Sequence, residues 1–171
     1  PSALPAPSVT SSGIPTPAAS KPAVYKGRPP EELRPVSEEV KLFSESQKQD
    51  IYRALQNYGK TVVQNPDFFD GWIQLGLLKK NIGDFEGSRD AWEFASIIRP
   101  ANSISFGNLG ELYWRYLRQY PQAETNFKTS IKNDPSNIGA YVSLSQVYFY
   151  SMKEKIDAAD DILLQGIQAN P

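Results

Sequence analysis

Asp157, Asp160 and Asp161 follow Lys153, Glu154 and Lys155 in a run of carboxylates and ammonium groups. General acid–base catalysis can be built from such a cluster. The run also has the spacing of a solvated helix face, and the rest of the composition favours that reading. The 171 residues contain no histidine and no cysteine. That removes imidazole acid–base chemistry, thiol nucleophiles and the usual zinc, copper and haem ligations. No glycine-rich phosphate loop precedes a helix, because Gly107 and Gly110 fall inside one. The chain therefore reads as non-catalytic, with no cofactor. The side chains left for function are ones that recognise: amides, a few charges, and aromatics at helical spacing.

A repeat positions them. Trp72-Ile73-Gln74-Leu75-Gly76 returns in altered form at Phe106-Gly107-Asn108-Leu109-Gly110 and again at Tyr141-Val142-Ser143-Leu144-Ser145. Pro66, Pro100, Pro135 and Pro171 keep the same beat. A fixed period of this size indicates one supersecondary unit stacked on copies of itself. Aromatic, Leu and Tyr at spacings of three and four share one helix face. Small residues at Gly76 and Gly110, and at Ser88, Ala123 and Ala159, let paired helices approach closely. Each proline biases the residue before it (Asn65, Arg99, Asp134, Asn170) away from helical dihedrals. Gly83 suits a helix C-terminus, and Asp84 can cap the helix that follows.

The full units read Trp72-x2-Leu75-Gly76-x2-Lys79, Ser88-x3-Trp92-x2-Ala95, Pro100, and then Phe106-x2-Leu109-Gly110-x2-Tyr113, Ala123-x3-Phe127-x2-Ser130, Pro135. The third is Tyr141-x2-Leu144-Ser145-x2-Tyr148, Ala159-x3-Leu163-x2-Gly166, Pro171. This pattern resembles the tetratricopeptide repeat. Lys79 departs from it where Tyr is usual, as does Ser145 where Gly is usual. Extra residues fall in the turns around Arg118–Pro121 and Ser151–Lys155.

The resemblance implies an all-α fold, an α-α superhelix (solenoid) of stacked antiparallel helix pairs. The units span 67–100, 101–135 and 136–171. Residues 37–66 form a degenerate first repeat or a capping helix beginning after Ser37. Helices are expected over 38–64, 68–80, 85–98, 103–117, 121–133, 137–151 and 155–169.

In this family the first helix of each pair lines the concave face. There the first unit presents Asp70, Ile73, Leu77 and Lys80. The second presents Ile104, Gly107, Asn108, Glu111, Trp114 and Arg115, and the third Gly139, Val142, Gln146, Phe149 and Tyr150. Such a groove suits an extended peptide or a partner helix, with the aromatics as anchors and Asn108 or Arg115 fixing polarity. Trp72, Trp92, Phe94 and Phe127 are assigned to the core. Of the Lys, Asn and Arg with which some family members grip a terminal carboxylate, only Asn108 has a counterpart here. A more apolar ligand fits better.

Residues 1–36 hold 9 of the 14 prolines and a single aromatic, Tyr25. So few large apolar groups cannot repay the entropy of ordering, which predicts a flexible linker. Such a tail suits an extracytoplasmic domain tethered by an anchor upstream of Pro1, or a cytoplasmic chain joining two domains. A net charge of −1 with no basic stripe argues against nucleic acid. No apolar run approaches the length of a membrane span. The expected partner is a protein or peptide. Two alternatives stand beside that: self-association through the C-terminal helix, where Leu163, Leu164 and Ile167 repeat, and a docking arm of an enzyme encoded beyond Pro171.

Overall fold

The computed structural model describes residues 23–34, 40 and 43–171. Every regular element among them is helical: α1 (Glu45–Gln64), α2 (Phe69–Asn81), α3 (Phe85–Ile98), α4 (Ser103–Arg115), α5 (Tyr120–Asn133), α6 (Ile138–Tyr150) and α7 (Ala158–Ala169), with one 3-10 turn at Lys153–Lys155 before α7. Consecutive helices pack on one another, α2 on α3, α4 on α5 and α6 on α7, and each pair rests on the second helix of the pair before. The architecture is a tetratricopeptide-like solenoid.

Local chemistry sets the element ends. Asn65, Arg99, Asp134 and Asn170 each close a second helix with φ between −144° and −130° and ψ between 68° and 90°. Each precedes a proline, whose ring forbids a helical ψ there. Gly83 takes φ 79° and turns the chain from α2 to α3. Asp84 then caps α3 by accepting from the Gly87 amide at 3.0 Å. The longer α4–α5 turn makes the same reversal with Arg118 at φ 53°.

A continuous apolar spine runs through the stack, with Leu55, Leu75, Leu112, Leu144 and Val147 sealed from solvent. Trp72, Trp92, Phe94 and Phe127 are buried with them. Trp92 also donates its indole N–H to the Ile73 carbonyl at 3.1 Å, tying α3 to α2. A Cβ at Gly76 would strike the Trp92 ring. One at Gly110 would lie 2.7 Å from the Phe127 ring, so close helix approach needs glycine at both places.

Two expectations differ from the structure. The first helix starts at Glu45, not near residue 38. Ser44 is its N-cap, exchanging hydrogen bonds with Gln47 in a capping box that fixes this start. The expected cap Ser37 lies outside the described residues.

The linker expected over 1–36 is also corrected in part. Residues 1–22 and 35–36 lie outside the described residues, but 23–34 pack against the solenoid. Tyr25 sets its ring 4.7 Å from Trp72 and 5.4 Å from Phe94. Arg28 donates to Asp84 at 2.6 Å, and Pro30 is buried. One aromatic and one arginine with pre-formed partners outweigh the unfavourable composition of the stretch around them.

Candidate functional site

The first helices α4 and α6 touch each other along the stack. Between them lies a cleft of about 310 Å³ whose lining includes Gly107, Gly139, Ala140 and Ser143. Small side chains here expose helix surface that larger ones would cover. Polar groups ring this floor: Asn108 and Glu111 from α4, and Asn137, which caps α6 by accepting from the Ala140 amide at 3.3 Å. Ile104 and Phe127 supply apolar wall. The cleft is thus a shallow trough with amide and carboxylate groups placed for backbone and side-chain recognition.

Toward the C-terminal ends of the same helices the surface becomes aromatic. Trp114 is half-buried and donates its indole N–H to Ser151 Oγ at 2.9 Å. The Arg115 guanidinium sits 4.2 Å from the Trp114 ring centroid, and its Nε lies 3.6 Å from Glu111. Stacking and ion pairing hold this planar cation in place over the ring. Phe149 and Tyr150 meet edge to face at 4.9 Å and stand 50% and 66% exposed. The two rings give this end of the face an open aromatic surface.

The sequence-predicted groove residues are spread over four places, and one of them is buried. Asn108 and Glu111 line the cleft, while Trp114, Arg115, Phe149 and Tyr150 form the aromatic end. Val142 is exposed and Gln146 half-buried on α6 between the two. In the first unit Leu77 is half-buried against the core, and Lys80 lies 6.0 Å from the Tyr116 ring centroid. Ile73 is corrected: it is only 8% exposed and belongs to the core, because the close α2–α3 contact at Gly76 draws that turn inward.

Asn137, Ser143 and Tyr116 lie outside the expected face. Asn137 is two residues before Gly139, where that face begins on α6, and acts as a cap. Ser143 lines the cleft beside the expected Val142. Tyr116 closes α4 and stacks on Phe85 at 4.5 Å, which joins the second unit to the first.

The charged run over residues 153–161 is dispersed. Asp157, Asp160 and Asp161 are exposed, whereas Lys155 reaches back to the buried Glu124. Burial alone would raise the Glu124 carboxyl; hydrogen bonds from Lys128, Lys155 and Tyr148 overcome it and bring the group down to about 2. Among the described residues no group of three or more acidic, His or Cys side chains is placed to hold a metal ion. None of their helices is long and apolar enough to cross a membrane.

No protein-family model matches the chain, and none of the curated proteins does. Among solved structures 21 chains match. One is the crystal structure of MamA, at 18% sequence identity and a TM-score of 0.64, covering 80% of this chain and 76% of that one. At that identity the likeness establishes the shared helical architecture.

Proposed function

We propose that this chain is a member of the tetratricopeptide family and serves as a non-catalytic scaffold for protein partners. It binds an extended peptide or partner helix along the face made by α4 and α6. The observation that carries this reading is the continuity of that face: a small-residue trough ringed by Asn108, Glu111 and Asn137, running into an open aromatic end. Peptide recognition draws affinity from aromatic anchors and direction from fixed polar groups. The shallow cleft and the absence of imidazole or thiol chemistry support binding over turnover.

Affinity capture with the purified chain tests the proposal, using Glu111→Ala and Tyr150→Ala beside the parent. Both side chains are surface groups, so the variants should fold, which circular dichroism checks. A bound partner should be lost or weakened at least ~10-fold by Tyr150→Ala, the size expected for an aromatic anchor. Full retention by both folded variants would remove the α4–α6 face as the binding site.

A specific observation supports a second reading. On α7, Leu164 and Ile167 are 54% and 66% exposed. Leu164 falls at the repeat position of Glu93, through which α3 meets Tyr113 of the following pair. Self-association through this face would make the apparent mass by light scattering rise with concentration, and Ile167→Glu would abolish the rise.

A further inference from the structure

Residues 23–34 occupy a furrow between two second helices, α1 and α3, floored by α2. Glu31 crosses it so near Gly59 that a Cβ there would stand 2.6 Å from the Glu31 Cα. The Glu32 carbonyl accepts from Lys79 Nζ at 3.0 Å, and the Arg28 amide donates to Asp90 at 3.4 Å.

The repeat builds this furrow again between α5 and α7, over α6, where it is open with a volume of about 460 Å³. Leu144 and Tyr148 form its floor in the places of Leu75 and Lys79. Lys128 stands where Gly59 does, Asp161 where Asp90 does and Gln165 where Phe94 does. The contacts that hold segment 23–34 therefore have a matched but re-edited set two units along the stack.

The edits define the occupant. Asp161 keeps the counterpart of the longer of the two carboxylate contacts that Arg28 makes, the 3.6 Å one to Asp90. Lys128 bars the close backbone path that Gly59 allows and puts an ammonium beside it. Lys132 adds a second, with no ion-pair partner among the described residues. Lys128 and Lys155 already share one carboxylate, Glu124, so this wall carries surplus positive charge. Gln165 offers no ring for Tyr25 to pack on, and Tyr148 has donated its hydroxyl to Glu124 at 2.9 Å. A second copy of segment 23–34 is therefore a poor fit.

We propose that the α5–α7 furrow is a second docking site, for an extended segment of another protein. That segment carries an aliphatic residue where Tyr25 would fall and carboxylates facing Lys128 and Lys132. The site is separate from the α4–α6 face and does not depend on the function proposed for that face.

The probes are fluorescein-labelled twelve-residue peptides with the sequence of residues 23–34 bearing Tyr25→Leu, with and without Glu31→Lys and Glu32→Lys, titrated with the full chain and read by anisotropy. The Leu peptide that keeps Glu31 and Glu32 should bind, and the lysine version should bind at least ~10-fold more weakly, a difference of about 1.4 kcal/mol. Lys132→Glu, on an exposed side chain, should weaken the glutamate peptide by a similar factor, while Tyr150→Ala on the other face should leave it unchanged. The proposal is overturned if the glutamate peptide fails to bind at millimolar protein, if Lys132→Glu has no effect, or if the unmodified 23–34 peptide binds as tightly.

Discussion

Lys79 in the first unit and Tyr148 in the third occupy the same repeat position, and their surroundings differ accordingly. Lys79 is 3% exposed, and its ammonium is met by Asp84 at 3.3 Å and by the Glu32 carbonyl from outside the repeat. Tyr148 is buried just as well but needs one acceptor, which Glu124 supplies from α5 of the neighbouring unit. A buried cation must be surrounded by acceptors, whereas a buried phenol needs one. The first unit therefore depends on segment 23–34 to complete its polar interior, and the third is complete without any such segment. The exchange at this position thus accompanies a furrow closed by the chain itself in the first unit and one left open in the third.

The largest effect should come from breaking the first unit's polar centre. Asp84 is 5% exposed, caps α3, and pairs with both Arg28 and Lys79. Asp84→Ala should destabilise the fold by about 3–5 kcal/mol, since it strands a buried ammonium. Asp84→Asn keeps a good cap and should cost clearly less than Asp84→Ala. Urea unfolding measures both. A loss under about 1 kcal/mol for Asp84→Ala would mean that Asp84 is not the contact that holds the Lys79 side chain.

The matching test in the third unit is smaller and carries a pH signature. Glu124→Gln leaves Lys128 and Lys155 without their carboxylate, but both ammonium groups reach water, so a loss of about 1–3 kcal/mol is expected. The Glu124 carboxyl lies at about 2 when folded, against the ordinary glutamate value of 4.5. Its contribution is therefore fully present above pH 4.5 and is lost as pH falls from there toward 2. Stability measured across that window should decline in the parent and decline less in Glu124→Gln. Equal slopes would remove Glu124 as the source.

The repeat made most of the stack legible in advance. Phase positions such as Leu75, Leu109 and Leu144 mark the buried stripe, and the prolines mark where second helices end. Two things were hidden for physical reasons. Segment 23–34 reads as linker because its composition is poor, yet Tyr25 and Arg28 find partners at Trp72, Phe94, Asp84 and Asp90 that are far away in sequence. Lys79 was visible as a departure from the pattern, and the clue it held was a demand for acceptors that the repeat lacks. At the candidate site, helical phase placed Asn108, Glu111 and Tyr150 on the surface. It could not tell Ile73 from them, because one close contact at Gly76 turned that residue inward.

The smallest effect lies in the turns that join the helices of a pair. The first unit reverses through Gly83 at φ 79°, and the second through Arg118 at φ 53°. For a residue with a Cβ that left-handed conformation costs roughly 1–2 kcal/mol, which glycine avoids. Glycine in turn loses roughly 0.5–1 kcal/mol more conformational freedom on folding. Arg118→Gly should therefore stabilise the protein by only a few tenths to about 1 kcal/mol, raising the melting temperature by up to about 2–4 °C for a chain of this size. The Arg118 side chain is exposed, so little packing is lost to mask the gain. A melting temperature that falls would show that the guanidinium contributes more to the α4–α5 turn than its strained backbone takes away.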